Sequence, residues 1–463
     1  MATQTPASTL VDDLTRIIPA DRVSVSAADR DQHSRDQSAH PAHLPDAVVW
    51  VQSTQEVSDI LQYANARGIP VTAWGAGTSI EGNPIPVRGG IVLDFRQMDK
   101  ILEIHQSDFQ VTVQPGVLYK DMNKILARHG LFFAPDPGAN ASIGGMLANN
   151  AAGIRTVKYG ATRENTLALE VVLADGTVIH TGSRSVKQSA GYDLTHLFVG
   201  SEGTLGIITA ATLKLAPLPE HFSVATAAFP DVAHAAHAVS ELIGAGLEPT
   251  ALELLDATAI RVMNTDEGIS FPETPHLFME FNGVNDDALA QTLALAEEIC
   301  RENAAETYQS GIGRAARAKL WEARHRIFEV HVRYFAGQDF FVADAAVPIS
   351  NYPALAAAAE EWLSELKIDG SVLGHAGDGN LHVLGFYPPD DAEKREKARQ
   401  LNQRLVELAL KLDGTSTGEH GVGMGKRKYM VKEHGAAAIG VMRQLKNLLD
   451  PNGILNPGKV LDD

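Results

Sequence analysis

Three glycine-rich loops in the first half of the chain limit what it can fold into. The first glycine loop is 74–83, the second is 135–145 and the third is 200–209. Glycine lets backbone N–H groups approach a phosphate closely, and the Thr and Ser residues of these loops add hydroxyl donors. One such loop is commonly a tight turn, but three of them within one domain-sized stretch indicate a site for a pyrophosphate-containing cofactor.

The loops lack the signatures of nicotinamide and P-loop proteins. The G-x-G-x-x-G fingerprint needs a glycine at position 80, where Ile80 stands. Residues 311–316 match G-x-G-x-x-A more closely, but we find no convincing strand before them in the sequence and interpret the match as chance. A nicotinamide dehydrogenase is therefore disfavoured.

Alternating strand and helix patterns predict the domain organisation. Residues 45–218 read as a first domain, with a helix over 54–67 that ends at Gly68 and a hairpin that turns at Asp175-Gly176. A β-α-β, β-α-β order after residue 219 predicts a split, ferredoxin-like sheet with helices on one face. We expect an N-terminal segment (1–44), a cofactor domain (45–218), a substrate domain with a metal site (219–430) and a returning C-terminal segment (431–463).

Charge and cysteine content exclude several classes of protein. The 39 basic and 57 acidic residues give a net charge of −18, which disfavours a nucleic-acid-binding protein. The single cysteine, Cys300, cannot form an intramolecular disulfide or hold an iron–sulfur cluster. No apolar run approaches the length of a membrane span, and from the acidic, weakly apolar N-terminus we expect no signal peptide. We expect a cytoplasmic protein, or one bound at the inner membrane through its electron acceptor.

Histidines in glycine-rich loops mark the second half of the chain. His375 and His382 flank a loop that runs into a predicted strand at 381–386, and Glu419 and His420 lie in the later loop 414–423. Two histidines and a carboxylate form a recognised ligand set for a divalent metal with open positions, and Zn and Mn both suit it. The alternative is that these histidines are structural and satisfied by hydrogen bonds.

The glycine loops, taken in order, resemble the FAD-binding domain of the vanillyl-alcohol oxidase superfamily, the PCMH-type fold. The resemblance implies an α+β protein with a FAD-binding domain of two α/β subdomains and a ferredoxin-like C-terminal cap. It also implies that the pyrophosphate lies on the first loop, the flavin on the second and the adenosine on the third. The residues implied for these three roles are, respectively, Gly75, Ala76, Gly77, Thr78 and Ser79; Gly138, Ser142, Ile143, Gly144, Asn149 and Gly153; and Glu202, Gly206 and Ile207. Some relatives bind the flavin covalently through a histidine of the first loop; this chain has none there, so we expect non-covalent FAD.

The second half resembles FAD-linked oxidases that act on 2-hydroxy acids. The likeness extends from about Asp46 to Val460 and includes 320–324, the histidine loops and the tail around Asn456, an implied cofactor contact. It is strongest to the cytochrome-type D-lactate dehydrogenases. It implies His375, His382 and Glu419 as metal ligands, His420 as the catalytic base and Arg324 as the clamp on the substrate carboxylate. Arg324 on a solvated helix face is the alternative.

Three apolar positions favour a short substrate. Hydroxyglutarate dehydrogenases of the family place polar residues where Phe328, Val342 and Leu384 stand here, and an apolar pocket cannot satisfy a second carboxylate. We therefore expect D-lactate oxidation, with electrons passed to cytochrome c, a quinone or an electron-transfer flavoprotein. Glycolate or D-2-hydroxyglutarate dehydrogenases and a non-catalytic FAD-binding subunit are the alternatives. The sequence is compatible with a homodimer.

Overall fold

A computed structural model describes residues 7–266 and 268–462 of the chain and divides it into two compact units. The first unit runs to Ala152 and continues over Gly160–Leu218 and from Glu419 onward. The second unit consists of Gly153–Tyr159 and Pro219–Gly418. The chain thus passes between the units four times, at 152/153, 159/160, 218/219 and 418/419, and the predicted domain limits stay predictions.

The chain up to residue 218 alternates short strands and helices. In order, its elements are α1 (Ala7–Ile17), β1 (Val23–Ser24), α2 (Ala27–Gln32), β2 (Ala47–Trp50), α3 (Thr54–Arg67), β3 (Val71–Trp74), β4 (Ile91–Asp94), β5 (Ile101–His105), β6 (Gln110–Val113), α4 (Tyr119–Leu126), β7 (Leu131–Phe132), α5 (Ile143–Asn149), α6 (Thr156–Tyr159), β8 (Thr166–Val172), β9 (Val178–Gly182), α7 (Leu194–Phe198), β10 (Ile207–Lys214) and β11 (Ala216–Pro217).

Two larger sheets and the two-stranded pair of β7 with β11 build the first unit. One has the order β1-β2-β4-β3, with β2 and β3 both parallel to β4, and the other is antiparallel in the order β5-β6-β10-β8-β9. Helix α3 begins where the Ser53 side chain accepts the Glu56 N–H and ends at Gly68, as its sequence predicts. The predicted hairpin is confirmed, because β8 and β9 pair directly across Asp175-Gly176. Strand β3 ends at Trp74, so the first glycine loop leaves the edge of the parallel sheet.

The rest of the chain supplies longer elements. They are β12 (His221–Ala228), α8 (Val232–Gly244), β13 (Ala251–Leu255), α9 (Ala257–Met263), β14 (His276–Gly283), α10 (Asp286–Glu302), β15 (Thr307–Ile312), α11 (Arg314–His325), α12 (Ile327–Tyr334), β16 (Asp339–Ala346), α13 (Tyr352–Leu366), β17 (Asp369–Gly374), β18 (Asn380–Tyr387), α14 (Ala392–Lys411) and α15 (Met430–Leu449).

A seven-stranded antiparallel sheet forms the second unit. Its order is β15-β12-β14-β13-β17-β18-β16, and the first four strands follow the ferredoxin-like connection β12-α8-β13-β14-α10-β15. The ferredoxin-like cap is thereby confirmed. Strand β15 directly precedes residues 313–316, so the expectation that no strand lies there was wrong. That strand lies antiparallel at the sheet edge, which still does not provide the parallel βαβ unit of a dinucleotide fold.

Helices cover both faces of this sheet, so the prediction of one covered face was wrong. Leu252 and Leu254 of β13 pack with α8, α10, α13 and α14. Their neighbours Ala251 and Leu255 point the other way and pack with α9, α11 and α12. Strand β13 is buried along its whole length, because alternate side chains face two different apolar layers.

Candidate active site

The first and second glycine loops touch inside the first unit. A Cβ atom added at Gly75 would overlap the Oγ of Ser142, which caps α5 by accepting the N–H of Gly145. Only glycine allows this approach. In the described part of the chain, the backbone amides of Ala76 to Ser79 donate no hydrogen bond to a protein group. Small residues and N–H groups that are not used by protein acceptors suit a pyrophosphate, so the loop fits FAD.

Replacing Gly75 by alanine is expected to reduce FAD retention after purification, since the added methyl group must displace Ser142. The double substitution Gly75→Ala, Ser142→Ala removes the overlapping oxygen and should restore part of the retention. Flavin absorbance per polypeptide measures both. Full retention in the single variant would contradict the close contact as a feature of the binding site.

The other predicted cofactor residues lie near these loops in sequence and on several elements. Gly138 precedes α5, while Ile143, Gly144 and Asn149 belong to it, and Gly206 and Ile207 lie at the start of β10. Gly153 opens the short segment that belongs to the second unit. Their contacts with FAD stay predictions.

The side chains of Glu202 and Asn456 both form hydrogen bonds with other residues of the first unit. The buried Asn456 amide donates to the carbonyl oxygens of Asn83 at 3.0 Å and Glu202 at 2.7 Å. The Glu202 carboxylate accepts N–H groups from Val422 and Gly423 and from the Asn83 side chain. Burial raises the pKa of Glu202 to about 7, against the lowering effect of these donors. The contact of Glu202 with adenosine stays a prediction. The hydrogen bonds above show that the carboxylate also holds the backbone of Val422 and Gly423.

Within the second unit, the two predicted metal-ligand histidines come together. His375 follows the last residue of β17, a 3₁₀ turn reverses the chain, and His382 lies inside β18. The two imidazole rings are 5.2 Å apart between centroids and nearly perpendicular. Both residues are buried, at 8% and 6% exposure. The loop therefore folds back as the sequence predicts.

Glu253 joins His375 to Arg324, and the sequence analysis did not identify it. Its Oε1 lies 2.7 Å from His375 Nδ1, and its Oε2 accepts Arg324 Nε at 3.1 Å and Nη2 at 2.5 Å. Burial alone would raise the pKa of this carboxyl, but the charges and hydrogen bonds of His375 and Arg324 outweigh burial and lower it. Glu253 is thus a carboxylate held between two positively charged or donating groups.

Arg324 is buried, at 8% exposure, so the alternative of a solvated helix face was wrong. A guanidinium carries five N–H donors, and the contacts with Glu253 use those on Nε and Nη2. The remaining donors suit a bidentate contact with a carboxylate. Its role as a substrate clamp stays a prediction.

Asp344 is a second residue that the sequence analysis did not assign. It lies opposite His382 in the pairing of β16 with β18, and its Oδ1 is 3.6 Å from His382 Nδ1. Its Oδ2 accepts the Thr417 hydroxyl at 2.7 Å and the Gly418 N–H at 2.8 Å. Asp344 therefore lies within ion-pair distance of one histidine and fixes the chain just before Glu419.

Two of the three apolar specificity positions pair across strands. Val342 and Leu384 are direct partners in β16 and β18, on the same side of β18 as His382. Phe328, on α12, packs edge-to-face on Phe340, two residues before Val342 in β16. The sheet beside His382 is thus lined by hydrocarbon.

Glu419 and His420 belong to the first unit. Their side chains are 13% exposed, and His420 Nε2 lies 3.7 Å from Glu419 Oε1. The backbone that follows is held by Glu202.

The comparisons with known proteins define the class. The sequence matches the family of FAD linked oxidases, C-terminal domain, over residues 218–460, and a FAD binding domain family over residues 45–182. The chain belongs to the FAD-linked oxidases, and its cofactor is FAD.

Two relatives and one solved structure show which proteins the chain resembles over most of its length. The chain is 42% identical over 443 residues to a probable mitochondrial D-lactate dehydrogenase of Danio rerio, covering 95% of this chain and 89% of the relative. It is 38% identical over 448 residues to the mitochondrial D-lactate dehydrogenase [cytochrome] of Arabidopsis thaliana, covering 96% and 79%. A solved structure of p-cresol methylhydroxylase has a TM-score of 0.76 at 18% identity and covers 100% of this chain and 98% of its own. The PCMH-type fold is confirmed.

Among the described helices, none has the length and apolar character needed to cross a membrane.

Proposed function

We propose that this protein is a FAD-dependent D-lactate dehydrogenase that oxidises D-lactate to pyruvate. The observation that carries the proposal is the buried contact of Glu253 with both His375 and Arg324. This contact places a histidine suited to a metal beside a guanidinium suited to a carboxylate. The D-lactate dehydrogenases that resemble the chain over most of its length support the choice of substrate.

A divalent metal, Zn or Mn, is part of the proposal, with His375, His382 and Glu419 as its ligands. The donor set fits such an ion. When His375 donates its Nδ1 proton to Glu253, the lone pair lies on Nε2, which is the tautomer that a metal requires. The metal, when bound, lowers the pKa of a coordinated hydroxyl group.

The chain's own residues then have separate tasks. Arg324 binds the substrate carboxylate, Val342 and Leu384 contact the methyl group, and His420 removes the proton of the 2-hydroxyl as general base. FAD, held non-covalently, supplies the hydride acceptor when bound. The apolar pair disfavours a substrate with a second carboxylate, because burying that charge without a partner is costly.

A c-type cytochrome is the acceptor that we propose for the electrons, with a quinone or an electron-transfer flavoprotein as alternatives. The net charge of −18 favours the approach of a basic partner, and one relative is described as a cytochrome-type enzyme. A cytoplasmic location and a homodimer stay predictions.

Steady-state kinetics with a dye acceptor test the choice of substrate. We expect kcat/KM for D-lactate to exceed that for glycolate about tenfold or more, since glycolate lacks the methyl group. The ratio over D-2-hydroxyglutarate should be about 10² or more, because the second carboxylate has only hydrocarbon to meet. L-lactate is the stereochemical control. A higher kcat/KM for D-2-hydroxyglutarate or glycolate would contradict the proposal.

A further inference from the structure

Glu202 lies in the third glycine loop, and its carboxylate is engaged with two other parts of the first unit. Its Oε1 accepts the N–H of Val422 at 2.6 Å, and its Oε2 accepts the N–H of Gly423 at 2.9 Å. The same Oε2 accepts the side-chain N–H of Asn83 at 2.7 Å. The residue is 4% exposed and adopts a left-handed backbone, with φ of 53°. A side chain in this conformation is strained, so the position is specified by its contacts.

The segment that Glu202 holds directly follows Glu419 and His420 in the loop 414–423. Val422 is two residues after His420, so its fixed N–H limits where the His420 backbone can lie. Gly421, between them, has φ of 83°, and a Cβ there would come within 2.9 Å of both Glu202 Oε1 and Asn83 Nδ2. The backbone at Gly421 therefore packs directly against the Glu202 carboxylate, and no side chain would fit between them.

A further backbone contact extends this anchor. The N–H of Met424 donates to the carbonyl of Glu81 at 2.8 Å, in the first glycine loop. The loop that carries His420 is thus attached to the first and third glycine loops over three consecutive residues. Buried hydrogen bonds to a carboxylate are the strongest of these contacts.

We infer that Glu202 is a positioning residue for catalysis: it fixes the backbone of Val422 and Gly423 and thereby holds His420 in place for proton transfer. The inference rests on the proposed function in so far as His420 is the base. It departs from a contact between Glu202 and adenosine, which would make the residue important for FAD affinity. The two roles differ in what is lost when the carboxylate is removed.

The experiment compares Glu202→Ala, Glu202→Gln, His420→Ala and the double variant Glu202→Ala, His420→Ala in the FAD-loaded enzyme. We expect Glu202→Ala to lower kcat about 10–100-fold, because misplacing a catalytic group by about 1 Å costs about 10²-fold. In Glu202→Gln, an amide oxygen in the place of Oε1 still accepts the N–H of Val422 and, at 3.2 Å, that of Gly423, so this variant should lose less kcat than Glu202→Ala. FAD per polypeptide should remain unchanged in both variants.

The double variant tests whether Glu202 acts through His420. In the His420→Ala background, removing Glu202 should lower kcat less than about twofold, since coupled residues are not additive. Hydrogen exchange adds a readout that does not depend on catalysis: peptides containing Val422 and Gly423 should exchange about tenfold faster or more in Glu202→Ala. Ser58→Ala is the matched control, because it removes a buried hydroxyl bond to the Gly176 carbonyl in the same unit and changes neither a glycine loop nor the loop that carries His420.

Three results would overturn the inference. They are a full additional loss in the double variant, a loss of kcat explained entirely by lost FAD, and unchanged exchange at Val422 and Gly423. A wild-type kcat in His420→Ala overturns the proposed base, and the inference with it; the exchange result then still reports whether Glu202 holds the loop. Wild-type behaviour of Ser58→Ala supports the specificity of the effect.

Discussion

Replacing His420 by alanine is expected to lower kcat for D-lactate about 10²–10⁴-fold, the range that a positioned general base contributes. FAD content should stay at the wild-type level, because the proposed role of His420 is on the substrate and the substitution changes none of the residues implied to bind FAD. Stopped-flow reduction of the bound flavin under anaerobic conditions measures the chemical step directly.

His434→Ala is the matched control for this prediction. His434 also follows a glutamate, with its Nε2 3.8 Å from Glu433 Oε1, and it belongs to the same unit. The exposed ring lies on α15, and we expect wild-type turnover when it is removed. An equal loss of FAD and turnover in His420→Ala, or the same loss in His434→Ala, would contradict the assignment of the base.

Replacing Glu253 by glutamine is expected to lower both metal content and stability. The neutral amide leaves buried Arg324 without its counter-charge, and breaking a buried ion pair costs about 3–5 kcal/mol of unfolding free energy. The amide has one oxygen in place of two and cannot accept from both Arg324 and His375, and loss of the His375 Nδ1 partner lowers metal affinity about 10–100-fold. Metal analysis by mass spectrometry and denaturant unfolding measure the two effects.

Glu280→Gln is the control that separates the loss of stability from the loss of metal. Glu280 is an equally buried glutamate on the neighbouring strand β14 and pairs with Arg317 Nε at 2.8 Å. This variant should also lose stability but keep its metal, whereas His375→Ala should lose the metal outright. Full metal retention in Glu253→Gln would show that Glu253 stabilises the sheet without orienting a metal ligand.

Local sequence patterns were sufficient for much of the fold. The hairpin at Asp175-Gly176, the end of α3 at Gly68 and the return of the chain between His375 and His382 each depend on residues close together in sequence. Turn chemistry and strand periodicity report such short-range geometry directly. The family resemblance supplied the architecture that joins these elements.

The second covered face of the cap sheet was not predicted, although the sequence carries a signal for it. The run Ala251–Leu255 is apolar on both sides except for Glu253, as expected of a strand that is buried on both faces. That pattern was the available signal for helices on both faces. The single carboxylate in this run was also a signal, since a lone buried charge requires partners.

The partners of the buried carboxylates could not be predicted in the same way. Glu253 contacts Arg324 and His375, which are 71 and 122 positions away in sequence, and Glu202 contacts Val422 across 220 positions. No local pattern encodes such pairs. The third glycine loop was identified as part of a cofactor site, but only the tertiary structure shows that its carboxylate holds the chain that follows His420.

The most direct test of the central claim is the visible spectrum of the purified protein under anaerobic conditions, before and after one equivalent of D-lactate per flavin. We expect a flavin spectrum that bleaches with D-lactate, releases pyruvate and stays oxidised with L-lactate. A bound flavin that remains oxidised with D-lactate would contradict D-lactate oxidation while leaving the FAD-linked oxidase fold intact.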